Sequence, residues 1–229
     1  MTPEKKNVPD FSVRDINIEL LSIPGLSVNL QRHKEETLKL TASGTLKAVC
    51  SPILKKINSR LQEEKPALAQ EDRVIPSAWL PPIPSPVFKR LIFAEVQIAL
   101  GKYIPETVSI ELTRQNSSRY PPGTDADELD TDTIKRTIDE ALELGTLIIS
   151  FTENDPLLRE EIFELVEYVD KKRAIVNCST WGTDFSKETA LRLKEAGLHS
   201  LMIGVYSTDP KNMTQSENPK ELTSGRSQP

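Results

Sequence analysis

At 229 residues, 28% of them charged and 37% hydrophobic, the chain is long enough to bury a core and polar enough that part of it is expected to stay unfolded. A net charge of −5 gives no electrostatic case for nucleic acid, and two cysteines, Cys50 and Cys178, build neither a disulfide framework nor a multi-cysteine metal site. No apolar segment follows the basic residues at the N-terminus and no run is long enough to span a bilayer, so the expectation is a cytoplasmic protein.

The first ten residues read as polar and loose. Ile16, Ile18 and Leu20 alternate with polar neighbours, the period of a strand, and Pro24-Gly25 stops it. Leu38 and Leu40, then Leu46, Ala48 and Cys50, alternate on either side of Ala42-Ser43-Gly44, which predicts a hairpin. Ser51-Pro52 predicts a helix start, and Ile53, Leu54, Ile57 and Leu61 follow at helical spacing. Residues 1–64 thus read as a small β/α appendage. Residues 65–86 read as a linker, because Pro76, Pro81, Pro82, Pro84 and Pro86 keep it extended and without ladder hydrogen bonds; its Trp79 and Leu80 fit either a ligand for an aromatic groove or, the favoured reading, a stiff connector whose Trp lies on the neighbouring domain. Ser85-Pro86 starts a second helix, to about 102, apolar over most of its circumference. It lacks the clear polar face of an interfacial membrane helix, so burial is its expected fate and no membrane partner is expected.

From 107 the pattern becomes regular. Val108, Ile110 and Leu112 alternate with Ser109 and Glu111 and run into the polar loop 113–123. A helix at about 131–144 has Asp130 as N-cap and Gly145 as stop. Strands at 147–151, 174–178 and 201–206 follow, separated by helices marked by Leu158, Ile162, Leu165 and Val166, and by Ala190 and Leu193 after a Ser186 cap. Strand–helix alternation predicts an α/β fold with parallel pairing and right-handed crossovers. In such folds ligands bind where strands end. Residues 207–229 are almost wholly polar and are expected to be a disordered tail. The acidic run Asp125, Asp127, Glu128, Asp130 and Asp132 lacks the glycine and closing acid of a calcium loop and reads as a solvated loop plus helix cap.

Residues 107–206 resemble the first half of a radical S-adenosylmethionine (radical SAM) enzyme, with each landmark altered. The family's first loop carries Cys-x-x-x-Cys-x-x-Cys. Its thiolates hold three irons of a four-iron, four-sulfur cluster, and S-adenosylmethionine chelates the fourth. Here Asn116, Tyr120 and Gly123 stand at those positions. Glu153-Asn154-Asp155-Pro156 stands where the family has Gly-Gly-Glu-Pro, which engages the amino group of S-adenosylmethionine, and Leu157-Leu158-Arg159 continues in the family's manner. Thr180-Trp181-Gly182-Thr183 takes the place of Thr-Asn-Gly-Thr, and Lys194-Glu195-Ala196-Gly197-Leu198 precedes the fourth strand as it does in the family. The resemblance implies a partial (βα) barrel of about four units over 87–206, preceded by the small α+β segment.

It also implies S-adenosylmethionine and a cluster, but cluster iron needs soft thiolates, and an amide, a phenol and a hydrogen do not supply them. The expectation is therefore a truncated, degenerate relative with no metal ligands and no catalytic residues, acting if at all as a binding or scaffold subunit. Self-association or a partner is expected at the open 201–206 edge. Two alternatives stand beside it. One is residual S-adenosylmethionine or nucleotide binding, through Glu153, Asn154, Asp155, Pro156 and Trp181. The other is non-redox chemistry using Glu153 and Asp155 as an acid/base pair.

Overall fold

The computed structural model describes residues 17–32, 37–62, 66–69, 73–114, 128–182 and 185–204. The polar tail and the three cluster-loop positions lie outside these residues. The chain divides into two compact units: Met1–Glu106 with Leu144–Leu147 and Lys171–Ile175, and Thr107–Glu143 with Ile148–Asp170 and Val176–Pro229.

The first unit begins with a three-stranded antiparallel sheet, β1 (Asn17–Ile23), β2 (Leu26–Arg32) and β3 (Leu38–Ser43), in that order. Pro24-Gly25 is a turn between paired Ile23 and Leu26, with Gly25 at φ +83, where the sequence reading had only a stop. Leu26, Val28 and Leu30 of β2 face Leu38 and Leu40 in the buried layer. The predicted hairpin across 42–44 is corrected: β3 pairs with β2, and Leu46, Ala48 and Cys50 belong to no strand. Instead α1 (Lys47–Gln62) starts a turn earlier than Ser51-Pro52 predicts, with an exposed Pro52 inside it. Leu54, Ile57 and Leu61 form its buried stripe. Asn58 of α1 treats β3 as a strand partner would. Its Oδ1 accepts from Leu40 N at 2.6 Å and its Nδ2 donates to Leu40 O at 2.9 Å, so backbone groups that would otherwise lie bare are satisfied.

The Pro-rich stretch is also more structured than its composition predicts. Short strands β4 (Leu68–Ala69) and β5 (Val74–Ile75) pair antiparallel, and Val74 and Ile83 exchange two backbone hydrogen bonds of 2.7 Å. Leu80, Pro81, Pro82 and Ile83 are buried while Trp79 is half-exposed. Proline removes one donor per residue but leaves its neighbours free to pair. Helix α2 (Pro86–Ala99) has the predicted cap, Ser85 Oγ accepting from Phe88 N at 3.0 Å. It buries Val87, Phe88, Leu91 and Ala94 on one side and leaves Phe93 and Leu100 exposed on the other.

The second unit is the α/β part. Parallel strands β6 (Thr107–Glu111), β7 (Ile148–Thr152), β8 (Ile175–Thr180) and β9 (Ser200–Ile203) lie in sequence order, with Thr107 opposite Ile148 and Asn177 opposite Ser200. Between them run α3 (Thr131–Leu144), α4 (Ile162–Tyr168) and α5 (Lys187–Glu195). Ile148–Phe151 is buried throughout, as a strand covered on both faces must be. The α3 stripe Ile134, Ile138, Ala141 and Leu142 and the α4 stripe Ile162, Leu165 and Val166 complete this core. Asp130 caps α3, its Oδ1 accepting from Thr133 N at 2.6 Å, and that bond holds its carboxyl below the usual range. Ser186 Oγ caps α5 by accepting from Thr189 N at 3.1 Å. This is the predicted α/β architecture. No helix among the described residues is long and apolar enough to cross a membrane.

Candidate functional site

The site is built where β6, β7 and β8 end. Leu112 and Thr113, just past β6, are buried, and Glu128, Leu129 and Asp130 lead into α3. Two side chains, Glu128 and Arg159, tie these two stems together, and Asn154 joins the β7 turn to the first of them. Glu128 Oε1 accepts from Thr113 Oγ1 at 2.7 Å and from Arg114 N at 2.6 Å. Arg159 Nη1 donates to Leu112 O at 2.7 Å and to Leu129 O at 2.9 Å, while Nη2 donates to Thr131 Oγ1 at 3.1 Å. Asn154 Nδ2 donates to Glu111 Oε1 at 2.5 Å and to Thr113 O at 2.8 Å. A guanidinium holds three acceptors at once because its donors lie in a fixed plane. Glu161 completes the cluster with Oε2 3.3 Å from Arg159 Nε. Its carboxyl is held below the usual range by its own backbone amide, then by Thr131, with Arg159 adding to the effect.

The turn after β7 is the unusual backbone of the site. Glu153 has φ +63 and Asn154 has φ +48, the left-handed region that favours glycine. These are the two positions at which the resemblance places glycines. In this chain a glutamate and an asparagine adopt that conformation. Asp155 then turns inward and is 2% exposed. Its Oδ1 accepts from Thr180 Oγ1 at 2.6 Å and from Leu157 N at 3.2 Å, capping the short 3-10 turn Pro156–Leu158, whose proline is buried. Its Oδ2 is buried with no hydrogen-bond partner among the described residues. Thr180 Oγ1 also accepts from Gly182 N at 3.0 Å, which ties the end of β8 to the same carboxylate.

Trp181 is half-exposed beside this network. Gly204 N donates to Thr180 O at 2.9 Å, and a methyl group at Gly204 would overlap the Trp181 ring, so the indole lies directly on the backbone just past β9. Cys178, on β8, is fully buried. Burial first, and the nearby Asp155 charge second, push its thiol up to about 12. Cys50 lies in α1.

Of the residues singled out from sequence, Asn154, Asp155, Pro156 and Trp181 lie at these strand ends. Glu153 is exposed at the turn whereas Asp155 is buried and engaged, so the two do not share one environment. Asn116, Tyr120 and Gly123 fall outside the described residues. Sequence reasoning missed the clamp of Glu128 and Arg159. The one available signal was Arg159 following Leu157-Leu158 as it does in the resembled family. Among the described residues no group of His, Cys, Asp and Glu has the geometry of a metal site.

The profile of the radical SAM superfamily matches residues 109–223, half of the chain. The chain belongs to the radical SAM superfamily. Among its curated relatives, an AdoMet-dependent heme synthase of Nitratidesulfovibrio vulgaris is 34% identical over 82 residues, 36% of this chain and 22% of that protein. An Fe-coproporphyrin III synthase of Methanosarcina barkeri is 33% identical over 87 residues, 37% of this chain and 22% of that protein. The chain thus spans about a fifth of the length of the superfamily members it matches. The solved structure of BtrN in complex with AdoMet and 2-DOIA superposes with a TM-score of 0.40 at 15% identity, over 53% of this chain and 55% of that one. Intact members of the superfamily hold S-adenosylmethionine and a four-iron, four-sulfur cluster.

Proposed function

We propose that this chain is a radical-SAM-like protein without cluster or radical chemistry, acting as a binding or scaffold subunit. The observation that carries the reading is the donor set. A four-iron cluster of this type takes three thiolates from one loop, and this sequence has only Cys50 and Cys178, neither of them in that loop. Cys178 is a poor substitute on its own account, being enclosed in the core with its thiol at about 12. The residues present do not fit the cluster, and no redox step follows from them. The edge of β9 is the surface proposed for self-association or a partner, since an end strand exposes unpaired backbone groups. The test is anaerobic reconstitution of the purified chain with iron and sulfide. The expected outcome is colourless protein with no bound iron. Stoichiometric iron with a cluster absorbance band would overturn the reading.

A second reading is favoured by a specific observation. The turn at Glu153 and Asn154 has a left-handed backbone, and Asp155 Oδ2 is buried with no hydrogen-bond partner among the described residues. Together these are what a site for an amino-acid ammonium group would retain after losing its metal. Under this reading the chain still binds S-adenosylmethionine or a related nucleoside, through the β7 turn and Trp181, without cleaving it. Titration calorimetry with S-adenosylmethionine distinguishes the two readings. Heat that saturates at one site and vanishes in Asp155→Asn supports binding, and no heat leaves the scaffold reading alone.

A further inference from the structure

Helix α2 is apolar on two opposite sides, and among the described residues only one of them is buried. Val87, Phe88, Leu91 and Ala94 are buried. On the other side Phe93 is 61% exposed and Leu100 79%, with Val96 half-buried between them, and Tyr103 just beyond the helix is 91% exposed. Phe93, Val96 and Leu100 follow one another at spacings of three and four, so they share a stripe one helix-turn apart. Contiguous exposed apolar surface of this kind marks a contact site rather than chance exposure.

The charges around the stripe indicate what it meets. Between 86 and 103 the basic residues are Lys89, Arg90 and Lys102, and the one acid is Glu95. Glu95 is not available to a partner, since it is buried with Oε2 2.6 Å from Lys56 Nζ. Glu106, the next acid along the chain, is likewise engaged, by Arg60 Nη2 at 2.6 Å. Lys89 and Lys102 stand at the two ends of the stripe and are exposed. A second copy laid on this face would set lysine against lysine. The patch is also small: its aromatic and leucine side chains expose about 500 Å² together, short of the roughly 800 Å² per partner of a stable protein interface. An anionic lipid surface asks for neither large area nor shape complementarity. It takes apolar side chains into the acyl boundary and pairs flanking lysines with headgroup phosphates.

We propose that the outer face of α2 rests on an anionic lipid surface, with Phe93, Leu100 and Tyr103 inserted and Lys89 and Lys102 at the headgroups. The sequence argued against an interfacial helix because α2 lacks a polar face of its own. That objection applies to a free helix. Here the side turned away from the lipid is covered by the protein itself.

The test is co-sedimentation of the full chain with vesicles of equal parts phosphatidylglycerol and phosphatidylcholine, against phosphatidylcholine alone. Binding is expected on the anionic vesicles only, weakening as salt is raised. F93D/L100D is expected to abolish it, and because both side chains are exposed the urea midpoint should not move. K89Q/K102Q is expected to weaken it by roughly thirtyfold, about fivefold per lysine lost from a charged surface. Absence of binding at low salt overturns the proposal, as do equal binding to neutral vesicles and binding that survives F93D/L100D. A concentration-dependent dimer in sedimentation velocity that F93D/L100D dissolves, with no vesicle binding, also overturns it and assigns the face to a second copy.

Discussion

Two adjacent substitutions in the β7 turn should shift stability in opposite directions. Glu153 and Asn154 both sit in the left-handed region, at φ +63 and +48. For an ordinary L-residue that conformation costs about 1–2 kcal/mol, because Cβ crowds the following carbonyl. Glycine is free of that crowding but loses about 0.5–1 kcal/mol more backbone entropy on folding. The difference leaves Glu153→Gly more stable by about 0.5–1 kcal/mol, a rise in melting temperature of roughly 1–4 °C for a chain of this size. Asn154→Gly meets the same backbone with a different side-chain role. Asparagine tolerates the left-handed region, so little strain is relieved. What disappears is a carboxamide donating to Glu111 Oε1 and Thr113 O. A hydrogen bond to a charged group contributes about 1.5–3 kcal/mol and a neutral one about 1, so Asn154→Gly should lose about 2.5–4 kcal/mol. The assay is urea denaturation of both variants followed by far-ultraviolet circular dichroism. A lower midpoint for Glu153→Gly, or a higher one for Asn154→Gly, refutes the reasoning.

Arg159→Ala removes donors from Leu112 O, Leu129 O and Thr131 Oγ1 and should cost about 3 kcal/mol, with faster hydrogen exchange of the amides at 112–114 and 128–131 as the local signature. Gly204→Ala forces the Trp181 ring off the backbone it covers, so a red-shifted tryptophan emission with about 1–3 kcal/mol of destabilisation is expected; an unchanged spectrum contradicts the packing. Native protein should release one thiol equivalent to a disulfide reagent at pH 8, from Cys50, and a second only in denaturant, because Cys178 is buried with its thiol at about 12. The Cys178 shift also has a sign. The unfolded thiol ionises near its reference value of 9.0 and the folded one at about 12, so between these the unfolded state holds fewer protons. Stability is then lost as pH rises through that window, by up to about 1.4 kcal/mol per unit, and a Cys178→Ser control should show a shallower alkaline decline.

Much of the second unit was legible in the residues themselves. Near-continuous apolar runs such as 147–151, broken only by Ser150, and single amphipathic stripes such as Ile134–Ile138–Ala141 signal one period each, and caps at Asp130 and Ser186 bound the helices. The first unit was less legible for identifiable reasons. Leu46, Ala48 and Cys50 alternate over too few residues to separate strand from the first turn of a helix. What decides for helix is the Leu54–Ile57–Leu61 stripe docking under the sheet. Pro24-Gly25 reads equally as an end or as a turn until β2 supplies the partner strand. The prolines of 76–86 hide a two-bond bridge, because Val74 and Ile83 find each other only once the chain has turned back.

The sequence by itself determined the order of the βα units, the superfamily they resemble and the chemistry of the first loop, because periodicity, caps and the presence of sulfur are properties of single residues and short spacings. Only the tertiary structure decided that Glu153 and Asn154 adopt a left-handed backbone, that Asp155 points inward onto Thr180, that Arg159 and Glu128 join the end of β6 to the start of α3, and that α2 has a second apolar side exposed among the described residues. Each of these depends on which groups from distant parts of the chain share a few ångströms of space, and hydrogen bonding and burial assign those neighbours only after the chain has folded.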